Sequence, residues 1–152
     1  MDERSQTLPE VVMPGDGQGG IVVLHVDDDV ASLMMAEQAL EAAGFEVVQA
    51  QNGQEALESF KESTPDLIIM DAVMPVMDGF DAISAIRKTP VGEHVPILMI
   101  TGLDDLDSIT RAYDEGATDF LTKPINFFTL PFRMQYMLRA KLTADALRSS
   151  QS

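Results

Sequence analysis

The sequence predicts a doubly wound α/β fold, in which helices cover both faces of a five-stranded parallel sheet. Two observations favour this fold class. Short apolar runs alternate with helical stretches five times along the chain. In addition, the runs 67–70 (Leu-Ile-Ile-Met) and 97–100 (Ile-Leu-Met-Ile) are apolar at every position, as strands that are buried on both faces require.

The individual elements follow from the same pattern. The run 21–26 predicts the first strand. The stretch 31–43 carries apolar residues at helical spacing, and Gly44 is well placed to end that helix. The remaining predicted strands are 46–50, 66–70, 96–100 and 119–122, and the remaining predicted helices are 53–62, 79–88, 105–115 and a last one from about residue 126 onward. Right-handed crossovers between parallel strands make this order a layered sandwich.

Composition limits the function classes. A chain of 152 residues with 45% hydrophobic residues can bury one core. The net charge of −15 argues against a nucleic-acid partner, because Lys and Arg must neutralise phosphates there. Cysteine is absent, which excludes disulfides and thiolate metal sites. No secretory signal and no bilayer-spanning apolar run is found, so we expect a cytoplasmic protein without a membrane partner.

The two ends of the chain differ from the alternating part. Residues 1–20 end in a glycine-rich run without periodicity, which predicts a flexible N-terminal tail. Pro131 is tolerated only in a first helical turn, so the last helix is expected to begin nearer Thr129 than Asn126. Its apolar stripe continues past Tyr136, and we interpret 137–152 as a helical extension or a linker toward an output domain or a dimer partner.

Polar residues follow four of the five predicted strands. Asp27 and Asp28 follow the first strand, Asp71 the third, Thr101 the fourth and Lys123 the fifth. Each residue alone has a local explanation, such as a turn or a solvated strand end. Together they indicate a site, because the carboxyl ends of parallel strands meet at one edge, where ligands bind in such sheets.

These residue types predict a chemistry for that edge. Crowded carboxylates resist ionising together unless a cation neutralises them. An all-oxygen cluster suits Mg²⁺, which needs few protein ligands and leaves positions for phosphate oxygens. Asp71 stands alone at the end of the central strand and is the natural nucleophile toward phosphorus, whereas the neighbours Asp27 and Asp28 are better placed to share the ion. His25, inside the first strand, lacks a partner pattern for catalysis and is assigned to structure.

Four segments carry a resemblance to a known family. VDDD, DLIIMDAVMPVMDGF, PILMIT and GATDFLTKPI, in this order and spacing, resemble the receiver domain of two-component response regulators, of the chemotaxis-regulator-like kind. The resemblance covers 21–136. It implies a flavodoxin-like sheet of order 2-1-3-4-5 flanked by five helices. It also implies a signalling domain that catalyses only its own phosphorylation and dephosphorylation, with Asp71 accepting a phosphoryl group from a sensor histidine kinase or a histidine phosphotransfer protein.

The resemblance also implies a magnesium site. Asp27, Asp28 and Asp71 would bind the ion together with the backbone carbonyl of Val73.

A second set of roles concerns the phosphoryl group and the switch. The resemblance implies that Thr101 bonds one phosphoryl oxygen, that Lys123 pairs with another, and that the bond between Lys123 and Pro124 is cis. Phe120 occupies the position of the aromatic switch. On phosphorylation, Thr101 would move inward, the Phe120 ring would follow, and the surface of the fourth helix, fifth strand and fifth helix would change. A homodimer could form through this surface or through the C-terminal helix, and an output domain could be covalently linked.

Two alternatives from other classes stay open. A phosphatase of the haloacid-dehalogenase type also uses an aspartyl phosphate, Mg²⁺, Thr and Lys, but its nucleophile follows the first strand, and here Asp29 is followed by Val30 and Ala31 without the usual Thr. A receiver-like module that acts without phosphorylation would be free to lose Asp71, and the complete acceptor set speaks against it.

Overall fold

The computed structural model describes residues 20–103 and 105–151. The tail predicted over 1–20 lies outside the described residues, apart from Gly20. The elements in chain order are β1 (Val22–Val26), α1 (Val30–Ala42), β2 (Glu46–Ala50), α2 (Gly53–Ser63), β3 (Leu67–Asp71), α3 (Gly79–Arg87), β4 (Ile97–Thr101), α4 (Leu106–Glu115), β5 (Asp119–Thr122) and α5 (Leu130–Gln151).

The five strands form one parallel sheet in the order β2-β1-β3-β4-β5. The predicted fold class and strand order are confirmed. β1 pairs with β2 on one side and with β3 on the other, so the strand order reverses at β1. Such a reversal opens a crevice at the carboxyl ends of the strands. In this register Val26 lies beside Met70, which makes Asp27 and Asp71 neighbours at the start of the crevice.

Helices cover both faces of the sheet, as the apolar strands predict. On one face, α1 and α5 pack through residues such as Leu40 and Met134 against a buried layer that includes Val23 and Ile69. On the other face, residues of α2, α3 and α4, among them Ile83, pack against the remaining strand residues. Alternate residues of each strand therefore belong to two different cores.

Four helices begin at a polar cap whose side chain accepts a hydrogen bond from an amide of the first turn. The caps are Asp29, Asn52, Asp78 and Asp105. Because Asp29 and Asp105 are caps, α1 and α4 begin at Val30 and Leu106 instead of the predicted residues 31 and 105.

The last helix begins later than its apolar pattern suggests. Asn126 forms a turn, in which its carbonyl accepts from the Thr129 amide at 3.2 Å and its side chain accepts from the Phe128 amide at 2.9 Å. Pro131 then lies in the first turn of α5, where its missing N–H has no helical partner to lose. α5 continues as one helix to Gln151, and the division predicted at 136/137 falls within it. Although α5 has 22 residues, none of the described helices is both long and apolar enough to span a membrane.

Arg87, at the end of α3, forms hydrogen bonds with the segments that precede β4 and β5. Its guanidinium donates to the carbonyls of Gly92 (2.9 Å) and Val95 (2.5 Å), before β4, and to that of Gly116 (2.9 Å), before β5. The sequence alone gives no sign of this role. These bonds hold the amino ends of β4 and β5 next to each other.

Gly79 fixes the backbone that carries Asp71. Its amide donates to the carbonyl of Ala72 at 2.8 Å. A Cβ at Gly79 would lie only 2.0 Å from the carbonyl oxygen of Asp71. The first turn of α3 therefore packs directly on the end of β3, and only glycine permits this approach.

Replacing Gly79 by alanine is expected to lower the free energy of unfolding by about 2 kcal/mol or more, because the new methyl group must push α3 away from β3. Urea unfolding measures the loss. Gly102→Ala is the matched control, since a Cβ there has nothing within 4 Å, and we expect a change below about 0.5 kcal/mol. Equal losses in both variants would contradict the close approach at Gly79.

Candidate functional site

The three consecutive aspartates after β1 have three different surroundings. Asp27 is buried, and its carboxylate accepts a hydrogen bond from the Asp29 amide at 2.9 Å. Asp28 is exposed and points its charge toward solvent at the same edge. Asp29 caps α1 by accepting from the Ala31 amide at 3.1 Å and from the Ser32 hydroxyl at 3.0 Å. Only the first two aspartates therefore contribute to the crevice.

Asp71 completes a cluster of carboxylates. It is the last residue of β3 and is 5% exposed. Carboxylate oxygens of Asp27, Asp28 and Asp71 lie within 4.8 Å of one another. Among the described residues, these three carboxylates form a group that could hold a metal ion. They are the same three carboxylates that the sequence predicts as ligands.

Lys123 reaches this cluster from the end of β5. Its ammonium donates to Oδ2 of Asp71 at 3.1 Å and lies 3.4 Å from Oδ2 of Asp27. Its backbone amide donates to the carbonyl of Thr101 at 2.8 Å, and the peptide bond from Lys123 to Pro124 is cis. One lysine thus bridges the ends of β1 and β3.

The surroundings of Asp71 act against its negative charge. Burial raises the pKa of Asp71, and the charge of Asp27 raises it further, while the hydrogen bond from Lys123 opposes both. Burial also works against the charge of Lys123, but its hydrogen bond to Asp71 and the nearby carboxylates outweigh burial and raise its pKa. One ammonium does not compensate three carboxylates, so the cluster favours a further cation.

The donor set fits a hard divalent ion. All the side-chain donors are carboxylate oxygens, two of the three residues are buried, and the third, Asp28, opens to solvent. Mg²⁺ is held in proteins by one or two carboxylates plus water and phosphate oxygens, which matches this arrangement. The amide of Val73 donates weakly to Oδ1 of Asp71 at 3.4 Å, which keeps Val73 next to the cluster.

Thr101 and Phe120 lie on the neighbouring strands β4 and β5. Thr101 is 1% exposed, and its hydroxyl accepts from the Leu103 amide at 3.3 Å. Phe120 pairs with Met99, two residues before Thr101, and is half-buried against the core formed with α2, α3 and α4. The two side chains therefore belong to the same face of the sheet, next to but separate from the carboxylate cluster.

His25 is a polar residue near the site that the sequence assigned to structure alone. It lies in β1, two residues before Asp27, and is 1% exposed. Burial lowers its pKa to about 4, so the imidazole is neutral at pH 7. Its Nδ1 is buried without a hydrogen-bond partner among the described residues. A histidine within an otherwise apolar strand was the signal for this feature.

The fold and this site define the class of the protein: a doubly wound α/β domain with an acidic pocket and an ion-paired lysine at its topological switch point. The family model described as the response regulator receiver domain matches residues 23–134. The chain belongs to this family of two-component signalling domains, which confirms the predicted family. Receiver domains are signalling domains that bind Mg²⁺ at an acidic pocket and interact with histidine kinases or phosphotransfer proteins.

Individual relatives agree with the family. The response regulator PleD of Caulobacter vibrioides is 37% identical over 130 residues, which cover 86% of this chain and 29% of PleD. The transcriptional regulatory protein PrrA of Mycobacterium tuberculosis is 37% identical over 119 residues, which cover 78% of this chain and 50% of PrrA. The chain thus spans half or less of these two relatives. The structure of the chemotaxis response regulator CheY4 of Vibrio cholerae superposes with a TM-score of 0.73 at 36% identity, covering 78% of this chain and 98% of CheY4.

Removing the charge of Asp71 is expected to stabilise the protein at neutral pH. Because the folded-state pKa of Asp71 is raised, the protonated carboxyl favours the folded state. This stabilisation is complete below the ordinary aspartate pKa of about 3.9 and is lost as pH rises through the folded-state pKa. In urea unfolding with EDTA, the Asp71→Asn variant should therefore have a higher free energy of unfolding than the native protein at pH 7. This difference should disappear near pH 4.

Asp81→Asn, at an exposed carboxylate on α3, is the control and should show no comparable gain. A variant Asp71→Asn that is no more stable than the native protein at pH 7 would contradict the raised pKa.

Proposed function

We propose that this chain accepts a phosphoryl group on Asp71 from a histidine kinase or histidine phosphotransfer protein, in a Mg²⁺-dependent reaction, and thereby controls an output through α4, β5 and α5. One observation carries the proposal. The carboxylates of Asp27, Asp28 and Asp71 converge within 4.8 Å, and Lys123 bonds to Asp71 at 3.1 Å. Among the described residues, these groups provide a nucleophile, two further metal ligands and a cation for the phosphoryl group.

The transfer follows from these groups. A carboxylate oxygen of Asp71 attacks the phosphorus of the donor's phosphohistidine and forms the new O–P bond. The P–N bond breaks, its electron pair returns to the imidazole nitrogen, and that nitrogen can then take up a proton. Lys123 exchanges its bond with Asp71 for one with a phosphoryl oxygen. Bound at Asp27, Asp28, Asp71 and the carbonyl of Val73, Mg²⁺ would supply positive charge that offsets the phosphoryl group.

Thr101 and Phe120 are proposed to convert the added phosphoryl group into a change of shape. The buried hydroxyl of Thr101 accepts from the Leu103 amide and can still donate its own O–H to a phosphoryl oxygen. Phe120 is half-buried beside Met99, two residues before Thr101, and can fill the space that Thr101 leaves. The phosphoryl group then selects the arrangement with Thr101 inward, because only that arrangement bonds to it.

The kinase or phosphotransfer partner requires a surface beside Asp71. Exposed apolar side chains flank the crevice on α1 and before α5, at Val30 (54% exposed), Met34 (55%) and Phe128 (78%). Phe128 lines a cleft next to the one at Lys123, and Phe127 lines both clefts. Ser32, between Val30 and Met34 in the chain, also lines the cleft at Lys123. This surface can position a phosphohistidine over Asp71.

The relatives suggest where an output could lie. The chain matches 29% of PleD and 50% of PrrA, so both contain further regions. We place the corresponding output either on a domain linked beyond α5 or on a second copy of this chain.

The charges of α4 and α5 favour a dimer of this chain. α4 carries Asp107, Asp114 and Glu115 against one arginine, while α5 carries three arginines and Lys141 against Asp145. Opposite charges on the two helices favour a two-fold pair in which α4 of one copy faces α5 of the other. Exposed apolar residues lie on the same helices, namely Leu106, Tyr113, Phe132 and Tyr136.

Phosphorylation is therefore expected to increase the dimer fraction measured by light scattering. Tyr136→Glu should reduce dimerisation at least severalfold, because it places a buried charge in the interface. Val91→Glu, at a residue that is 64% exposed and outside these helices, should leave dimerisation unchanged. A chain that stays monomeric with and without phosphorylation would exclude the dimer and leave the linked output domain.

Phosphorylation itself is tested by intact mass after incubation with acetyl phosphate. The native chain should gain one phosphoryl group in Mg²⁺ and none in EDTA. Asp71→Ala should gain none, because the nucleophile is gone, and the control Asp81→Asn should be labelled like the native chain.

Other outcomes favour the alternative functions. Labelling that persists in Asp71→Ala would contradict the acceptor assignment. Repeated turnover of para-nitrophenyl phosphate would instead favour a phosphatase. If no phosphoryl group is added under any condition, a module that binds its partner without phosphorylation is favoured.

A further inference from the structure

His25 lies directly beneath the acceptor site on one face of the sheet. Side chains two residues apart in a strand point to the same side, so His25 shares its face with Asp27. In the adjacent strand β3, Ile69 pairs with His25, and Asp71 follows two residues later on that face. His25 therefore belongs to the layer immediately below the carboxylates that Lys123 bridges.

A histidine is costly in this layer. The residues around it in the core between the sheet and helices α1 and α5 are aliphatic, including Val23, Ile69 and Leu98. An aliphatic side chain at position 25 would leave no polar atom buried there. The Nδ1 atom of His25 instead has no partner among the described residues, and a buried polar atom in that state destabilises the fold. Such local conflicts tend to mark positions that serve a function.

Lys123 can use the acceptor that His25 offers. An ammonium has three N–H donors. Two of them face Asp71 (3.1 Å) and Asp27 (3.4 Å), which leaves a third. His25 lies two residues before Asp27 on the same face of β1, and the Lys123 ammonium is 3.4 Å from Asp27, so the imidazole lies in the layer next to the ammonium. A water between them would find Nδ1 as an acceptor, Lys123 as a donor and Asp27 as a second acceptor, which is the number of partners that a buried water usually has.

We propose that His25 is a positioning residue for Lys123, and that its Nδ1 accepts a hydrogen bond from a water molecule that also binds the Lys123 ammonium. The link keeps the ammonium directed into the crevice when it exchanges Asp71 for a phosphoryl oxygen. The expected effect on the phosphorylation rate rests on the proposed function, whereas the hydrogen bond itself does not.

Three variants separate this role from simple packing. His25→Leu removes the acceptor, and it should raise the melting temperature while slowing labelling by acetyl phosphate in Mg²⁺ about fivefold. His25→Asn places an amide oxygen close to the position of Nδ1, and it should restore most of the native rate. Ile69→Val changes packing in the same layer without removing a polar atom, and its rate should match the native one.

The rates can overturn the proposal in two ways. A native rate in His25→Leu would show that the imidazole is not needed. An equally slow His25→Asn would show that an acceptor at this position does not matter.

The ¹⁵N resonances of His25 provide a test that is independent of phosphorylation. We expect the tautomer with the proton on Nε2, and an Nδ1 resonance shifted upfield by hydrogen bonding. Lys123→Met should move that resonance downfield, toward the value of a free acceptor. A proton on Nδ1, or a resonance unchanged by Lys123→Met, would overturn the proposal. If the native chain is not labelled at all, the proposed function fails, and the resonances still decide the role of His25.

Discussion

The contact of one ammonium with two buried carboxylates is the constraint on which the rest of the site depends. Pairing of β1 with β3 places Asp27 beside Asp71, and Lys123 binds both from β5. With Asp28 included, three negative charges face one positive charge. The site therefore keeps an excess of negative charge, and a divalent cation reduces the repulsion between the carboxylates. Under the proposed function, a phosphoryl oxygen replaces Asp71 as a partner of Lys123.

The surrounding fold limits how far these groups can move. α3 packs on the carbonyl of Asp71 through Gly79, and Arg87 connects the segments that lead into β4 and β5. Both contacts act on backbone. Gly79 packs at the carboxyl end of β3, beside the crevice, whereas Arg87 holds the amino ends of β4 and β5 at the opposite edge of the sheet. Under the proposed function, Asp71 held in this way needs little reorganisation before it attacks the donor's phosphoryl group.

The strands and the carboxyl-edge residues could be predicted because each depends on a local pattern and one topological rule. Apolar runs locate strands, and parallel topology brings their ends to a common edge. Contacts between distant segments leave no such pattern. The carbonyl partners of Arg87 and the unpaired Nδ1 of His25 could be found only in three dimensions. The start of α5 at Leu130 depends on a local signal instead, because Pro131 is tolerated only in a first helical turn, and the sequence therefore predicted a start near Thr129.

The position of β5 explains how a small change at the site can reach the surface. β5 lies at the edge of the sheet, has four residues, and contains none that is fully buried. It is therefore held by fewer neighbours than β1 or β3, and edge elements of this kind shift most easily. Yet it carries Phe120, leads into Lys123, and binds α5 through the 2.6 Å ion pair between Asp119 and Arg133. In the proposed switch, a movement that starts at Thr101 acts on this edge strand, and the ion pair of Asp119 with Arg133 links the strand to α5.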